Sequence, residues 1–244
     1  YLKSKGVTSS DIMINYTPFG HSDWQTIVSD IKTFGSTGKK TAVVSTINGD
    51  ANVPFYKELG NQGVSASDIP VIAFSVGEEE LSGLDTAPLV GHLAAWNYFM
   101  SADAVENDEF IAKWKAFIKD DKRVTNDPME AHYIGFNMWV KAVEKAGTTE
   151  ANAVQDAIIG VTTPNLTGGV SAMMPNHHIT KPVLIGEIQA DGQFETVWST
   201  EGLVAGDAWS DFLPGSKNLI SDWRKPLSCG NYNVKTAKCS GQNY

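Results

Sequence analysis

Asn48, Gly49, Asp50 and Asn52 stand together in the stretch Ala42 to Tyr56, AVVSTINGDANVPFY, between a β-branched run and Pro54, which opens a helix. A strand end beside a helix N-terminus collects free backbone N–H groups and the positive end of the helix dipole, so a loop of this composition suits a small polar solute. The arrangement recurs one unit later, where Val71-Ile72-Ala73-Phe74 runs into Ser75-Val76-Gly77-Glu78. Candidate ligand contacts are therefore Gly49, Asp50, Ser75, Val76 and Glu78. Asp50 also suits a turn or a helix N-cap, and Glu79 and Glu80 extend an acidic run that a helix start favours without any ligand. Trp96 and Tyr98 end a further strand-like run, as an aromatic wall for the same cleft or as core aromatics.

Other chemistries are excluded by what the chain lacks. It has no G-x-S-x-G elbow, no H-E-x-x-H, no Walker lysine loop and no dinucleotide G-x-G-x-x-G, so neither an enzyme nor a cofactor is expected. His177-His178 has no evident third metal ligand, which leaves the pair a structural or surface role. With 28 acidic against 19 basic residues and no basic cluster, the chain lacks the footprint of a nucleic-acid binder. No apolar run approaches the roughly 18 residues of a membrane span.

The elements that must hold these residues follow from periodicity. Residues 12–19, 42–47 and 70–75 are expected as strands of a parallel sheet, with a helix near 54–62. Ser22-Asp23-Trp24-Gln25 matches a capping box, and Trp24, Ile27, Val28 and Ile31 follow at helical spacing until Gly35. After the run 89–99 the pattern turns helical: Phe110, Ile111, Trp114, Phe117 and Ile118 share one face, Asp127-Pro128 starts a helix that runs to Gly147, and a third spans about 149–159. Residues 182–189 and 194–198 read as a hairpin about Asp191-Gly192. The changes of pattern indicate a chain passing between two lobes, and residues 205–244 read as a wrapping tail. Cys229 and Cys239, with no CxxC spacing and no nearby His, suit a local disulfide and an oxidising compartment, against the alternative of two reduced thiols in a cytosolic tail. Tyr1 to Gly6 reads as the last turn of a helix closed by glycine, so the chain is expected to begin inside a domain, with any targeting sequence ahead of it.

Several segments together resemble a known family: Tyr16 to Trp24, Ser45 to Asp50, Asn176-His177-His178 through Lys181-Pro182-Val183, Gly186 to Phe194, and Leu227 to Lys235. They are similar to the urea-binding proteins of bacterial ABC transporters, which group with short-chain amide receptors in the branched-chain amino-acid-binding type of periplasmic protein. The resemblance implies an α/β fold: a Rossmann-like parallel-sheet lobe of a two-lobed type I periplasmic binding protein, plus an incomplete helical part of the other lobe. Residues 1–99 and 161–204 would form the second lobe, 100–160 the helical return of the first, and 205–244 the disulfide-bearing tail. It further implies a periplasmic protein that captures urea or a short-chain amide and hands it to permease subunits. A cytosolic amide sensor of the same fold is the alternative. The site residues would be Gly49, Asp50, Ser75, Val76, Glu78, Trp96 and Tyr98, which offer acceptors to a planar N–H-rich solute and an aromatic wall. Because the first lobe's sheet is absent, this chain alone is expected to bind less well than one carrying both lobes.

Overall fold

The computed structural model describes residues 1–209, 211–222 and 229–239. They form two compact units, one of residues 12–205 and one of residues 1–11 with the segment from Gly206 onward.

In the larger unit, α1 (Gln25–Gly35) precedes β1 (Val43–Ser45), α2 (Asn52–Asn61), β2 (Val71–Ala73), the single turn α3 (Glu78–Leu81) and β3 (Leu93–Trp96). β1, β2 and β3 pair in parallel, with Val43 opposite Val71 and Ala73 opposite Ala94. This is the expected consequence of strand-helix alternation, since a helix returns the chain to the same end of the sheet. The helices cover the sheet because α1 and α2 each turn one apolar stripe inward: Val28 and Ile31 from one, Phe55, Tyr56 and Leu59 from the other. Each of the Val, Ile, Leu and Phe side chains contributes about 1.5–3 kcal/mol by leaving water.

Two local expectations are corrected. Residues 12–19 form no strand; Ile14, Tyr16 and Phe19 are exposed. β-propensity is expressed only against packed neighbours, and this run has no strand partner among the described residues. The capping box at Ser22 is also not formed. Trp24 takes the N-cap position without a side-chain cap, and its Nε1 donates to the His21 carbonyl at 3.1 Å. Trp24 is nearly fully buried and meets Phe55 edge-on, so packing of the indole sets where the helix begins.

The chain then leaves the sheet for α4 (Val105–Ile118), α5 (Asp127–Ala146) and α6 (Ala151–Ile158), followed by the antiparallel pair β4 (Thr162–Pro164) and β5 (Val170–Ala172). Asn126 caps α5 by accepting from the Met129 N–H at 3.1 Å, and Gly147 closes it at φ 66°. Phe110, Ile134, Met138, Ala142 and Val154 form a second apolar cluster. Val161 and Leu166 join it, and Met173 and Ile179 pack against it. Val161, Leu166, Met173 and Ile179 therefore pack with the helices.

The hairpin β6 (Leu184–Ile188) and β7 (Phe194–Ser199) returns to the sheet antiparallel to β3, giving the order β1-β2-β3-β6-β7. The sheet is thus mixed rather than wholly parallel, because strands joined by the tight turn at Asp191-Gly192 must run in opposite directions. Gly186 lies where a Cβ would stand 2.6 Å from Phe99, whose ring stacks on Phe194 at 4.5 Å. Gly186→Ala is expected to destabilise the fold by about 1–3 kcal/mol. A guanidinium chloride midpoint equal to that of the wild type would contradict this.

In the smaller unit the helix end expected at the start is a 3-10 turn, Lys3–Lys5, closed by Gly6 at φ 87°. The segment expected to wrap the surface contains an antiparallel sheet of β8 (Leu219–Asp222), β9 (Cys229–Asn233) and β10 (Lys238–Cys239). Cys229 and Cys239 are bonded, with their Cα atoms 6.1 Å apart. Closing a loop across 10 residues restricts the unfolded chain by about 3 kcal/mol in the chain-entropy account.

Candidate functional site

Because β1, β2 and β3 are parallel neighbours, the chain leaves all three at the same edge of the sheet. The loops 46–51 and 74–77 and the residues after Trp96 therefore meet there. Asn52, fully buried at the start of α2, fastens the first two loops. Its Nδ2 donates to the carbonyls of Ile47 at 3.0 Å, Gly49 at 3.1 Å and Ser75 at 3.1 Å. Ser75 Oγ donates to Asn48 Oδ1 at 2.8 Å, a second tie between the same loops.

Gly49 has φ 66°, the left-handed region that glycine enters without strain, and this turns the chain into the 3-10 segment Gly49–Ala51. Asp50 in that segment is exposed. It does not cap: Asn48 stands at the cap of the 3-10 turn and Ala51 at the cap of α2, neither with a side-chain cap bond. The Asp50 carboxylate thus points from a doubly fastened loop without an internal duty.

Trp96 is half-buried and packs against the sheet core; a Cβ at Gly77 would stand 2.8 Å from its ring. Asp50, Ser75, Gly49 and Trp96 are therefore grouped at one edge. The other three residues in the sequence-derived set have internal roles. Val76 is sealed in the core. Tyr98 is fully buried, its hydroxyl 2.7 Å from both Asn107 Oδ1 and Thr125 Oγ1, so it cannot orient a solute amide. Burial pushes that phenol above its ordinary range. Glu78 is almost completely buried and its Oε1 accepts the Met100 N–H at 2.6 Å. Burial pushes its carboxyl up to about 7, opposed by that N–H and reinforced by Glu80 and Asp127.

The neighbouring acids are also explained locally. Glu80 accepts the Gly77 N–H at 2.8 Å, and Glu79 pairs with Arg123 at 3.3 Å on the surface, where such a pair contributes little. His177 and His178 are exposed, and no metal-ligating cluster occurs among the described residues. A shallow cavity of about 460 Å³ lies elsewhere, between Ser101–Asp103 and the β6–β7 hairpin.

Asn52 lies in the expected loop, but its three-carbonyl role was not foreseen from the sequence. The available signal was its position, the first residue of the helix after a Gly-containing strand-end turn.

The family model described as a periplasmic binding protein domain matches residues 1–215. The chain belongs to this family. The periplasmic binding protein fold is matched in turn by a solute-binding protein of an ABC transporter from Rhodopseudomonas palustris HaA2, in complex with p-hydroxybenzoic acid, at 19% identity and TM-score 0.63, covering 77% of this chain and 51% of that one. An amino acid ABC transporter substrate-binding protein from Pseudomonas fluorescens Pf-5 matches at 16% identity and TM-score 0.64, covering 81% and 51%. This periplasmic binding protein domain therefore spans about half the length of those solved relatives. It is also 32% identical over 111 residues to a limonene hydroxylase from Geobacillus stearothermophilus, across 46% of this chain and 20% of that protein.

Proposed function

We propose that this periplasmic binding protein domain belongs to an extracytoplasmic receptor that captures urea or a short-chain amide between two lobes and delivers it to ABC permease subunits. The sheet would carry one wall, and the lobes would be divided where the chain crosses between the two apolar clusters, near 97–104 and 180–183. The observation that carries the solute class is the composition of the fastened loops. Residues 46–51 and 74–80 contain no Lys or Arg, and of their acids Glu78, Glu79 and Glu80 have local partners, which leaves Asp50 as the carboxylate open to a solute. The free carboxylate there is an acceptor for N–H groups and repels an anion. The solved relative described with p-hydroxybenzoic acid holds a carboxylic acid; the charge in these loops favours a neutral, N–H-rich solute instead.

The disulfide supports an oxidising compartment over a cytosolic amide sensor of the same fold. No described helix is long and apolar enough to cross a membrane. Binding of this kind needs positioned acceptors and no nucleophile. Titrating urea into the protein while following ammonia tests the reading: saturable binding without ammonia release is expected. Ammonia release would make the protein an amidohydrolase and overturn it.

A further inference from the structure

One peptide bond joins the two clusters: Tyr98 belongs to the helical cluster and Phe99 to the sheet cluster. Two carboxylates from different elements hold this passage. Asp127, the first residue of α5, accepts the Asn97 N–H at 2.9 Å. Glu78, at the end of the β2 loop, accepts the Met100 N–H at 2.6 Å, and its other oxygen has no hydrogen-bond partner. The second crossing is tied to the first, since Asn97 Nδ2 donates to the Pro182 carbonyl at 2.5 Å, and the adjacent Lys181 pairs with Glu130 of α5.

We propose that Glu78 and Asp127 are positioning residues, a two-point clasp on residues 97–100 that sets how readily the two clusters rotate toward each other, and that Glu78 is its proton-sensitive half. This deepens, and rests on, the reading of the domain as a solute receptor whose lobes close over the ligand.

An ionised Glu78 holds the Met100 N–H by a charge-assisted bond, the stronger kind. A rotation that lengthens that bond leaves a buried charge poorly compensated, so the ionised clasp resists rotation and the neutral one yields. The groups acting on Glu78 are Glu80 on its own turn, Asp127 from α5 and the Tyr98 phenol on the clasped segment. Lys181 and Glu130 act through Asp127, and Arg123 is engaged with Glu79 at the surface. Burial raises the Glu78 carboxyl to about 7, which places the switch near neutral pH.

The test follows the Met100 amide by NMR without solute, and urea affinity, between about pH 6 and about pH 8.5, in the wild type and in Glu78→Gln, which imitates the neutral acid. The Met100 amide is expected to titrate near neutral pH in the wild type and not in the variant. Urea is expected to bind on the order of fivefold more tightly at the lower pH in the wild type, and with no pH dependence in Glu78→Gln. A Met100 amide that does not titrate overturns the clasp in the wild type alone, whether or not the variant folds. Retention of the wild-type affinity slope in folded Glu78→Gln overturns it as well. An amide that titrates in a protein that binds no urea at any pH supports the clasp and refutes the solute reading, so the two failures are distinguishable.

Discussion

Asp50→Ala is expected to weaken urea binding by about 10- to 150-fold while leaving the fold intact. The loop is fastened without Asp50: Asn52 bonds three carbonyls and Ser75 bonds Asn48, whereas the Asp50 carboxylate caps neither the 3-10 turn nor α2. Removing it should therefore cost little stability and most of one charge-assisted hydrogen bond to the solute, about 1.5–3 kcal/mol. Glu79→Ala is the matched control, because Glu79 meets only Arg123 on the surface. Affinity in Asp50→Ala equal to that in Glu79→Ala would remove Asp50 from the site. A fall in melting temperature with unchanged affinity would make it a turn residue instead.

Lys181→Ala is expected to have the largest effect on stability. Lys181 reaches the carboxylate of Glu130, whose side chain is fully buried on α5. Burial pushes the Glu130 carboxyl above its ordinary range, and the Lys181 ammonium pulls it back. Removing the ammonium alone leaves an uncompensated buried acid and should cost about 3–5 kcal/mol, whereas replacing both partners by apolar residues, as in Lys181→Met with Glu130→Leu, should recover most of it. Because a raised carboxyl binds its proton more tightly in the folded state, the single variant should lose stability as pH rises from the ordinary Glu range toward the raised value. Guanidinium denaturation at two pH values reads both effects. A single variant within experimental error of the wild type would show that the pair contributes nothing net.

What could be read from the sequence was local. α5 was legible at both ends because Asp127-Pro128 and Gly147 carry their own backbone preferences. The β6–β7 hairpin was legible because the Asp191-Gly192 turn fixes the pairing of its flanks. The paired loops at the sheet edge were legible as a strand end followed by a helix start, and Asp50, Ser75, Gly49 and Trp96 are grouped there. The failures are contacts made over distance. The Tyr98 hydroxyl is consumed by Asn107 and Thr125, nine and 27 residues away, and nothing near Tyr98 announces them. Glu78 looks like any acid at a helix start, and only the passage of Met100 over it shows that it is buried. Residues 12–19 have strand-like composition, but pairing needs a neighbour, and composition does not supply one.

Calorimetric titration of the protein with urea and, separately, with benzoate decides whether the edge formed by loops 46–51 and 74–80 takes a neutral amide or an acid. Saturable urea binding that benzoate does not displace is expected. Saturable benzoate binding with none for urea would contradict it.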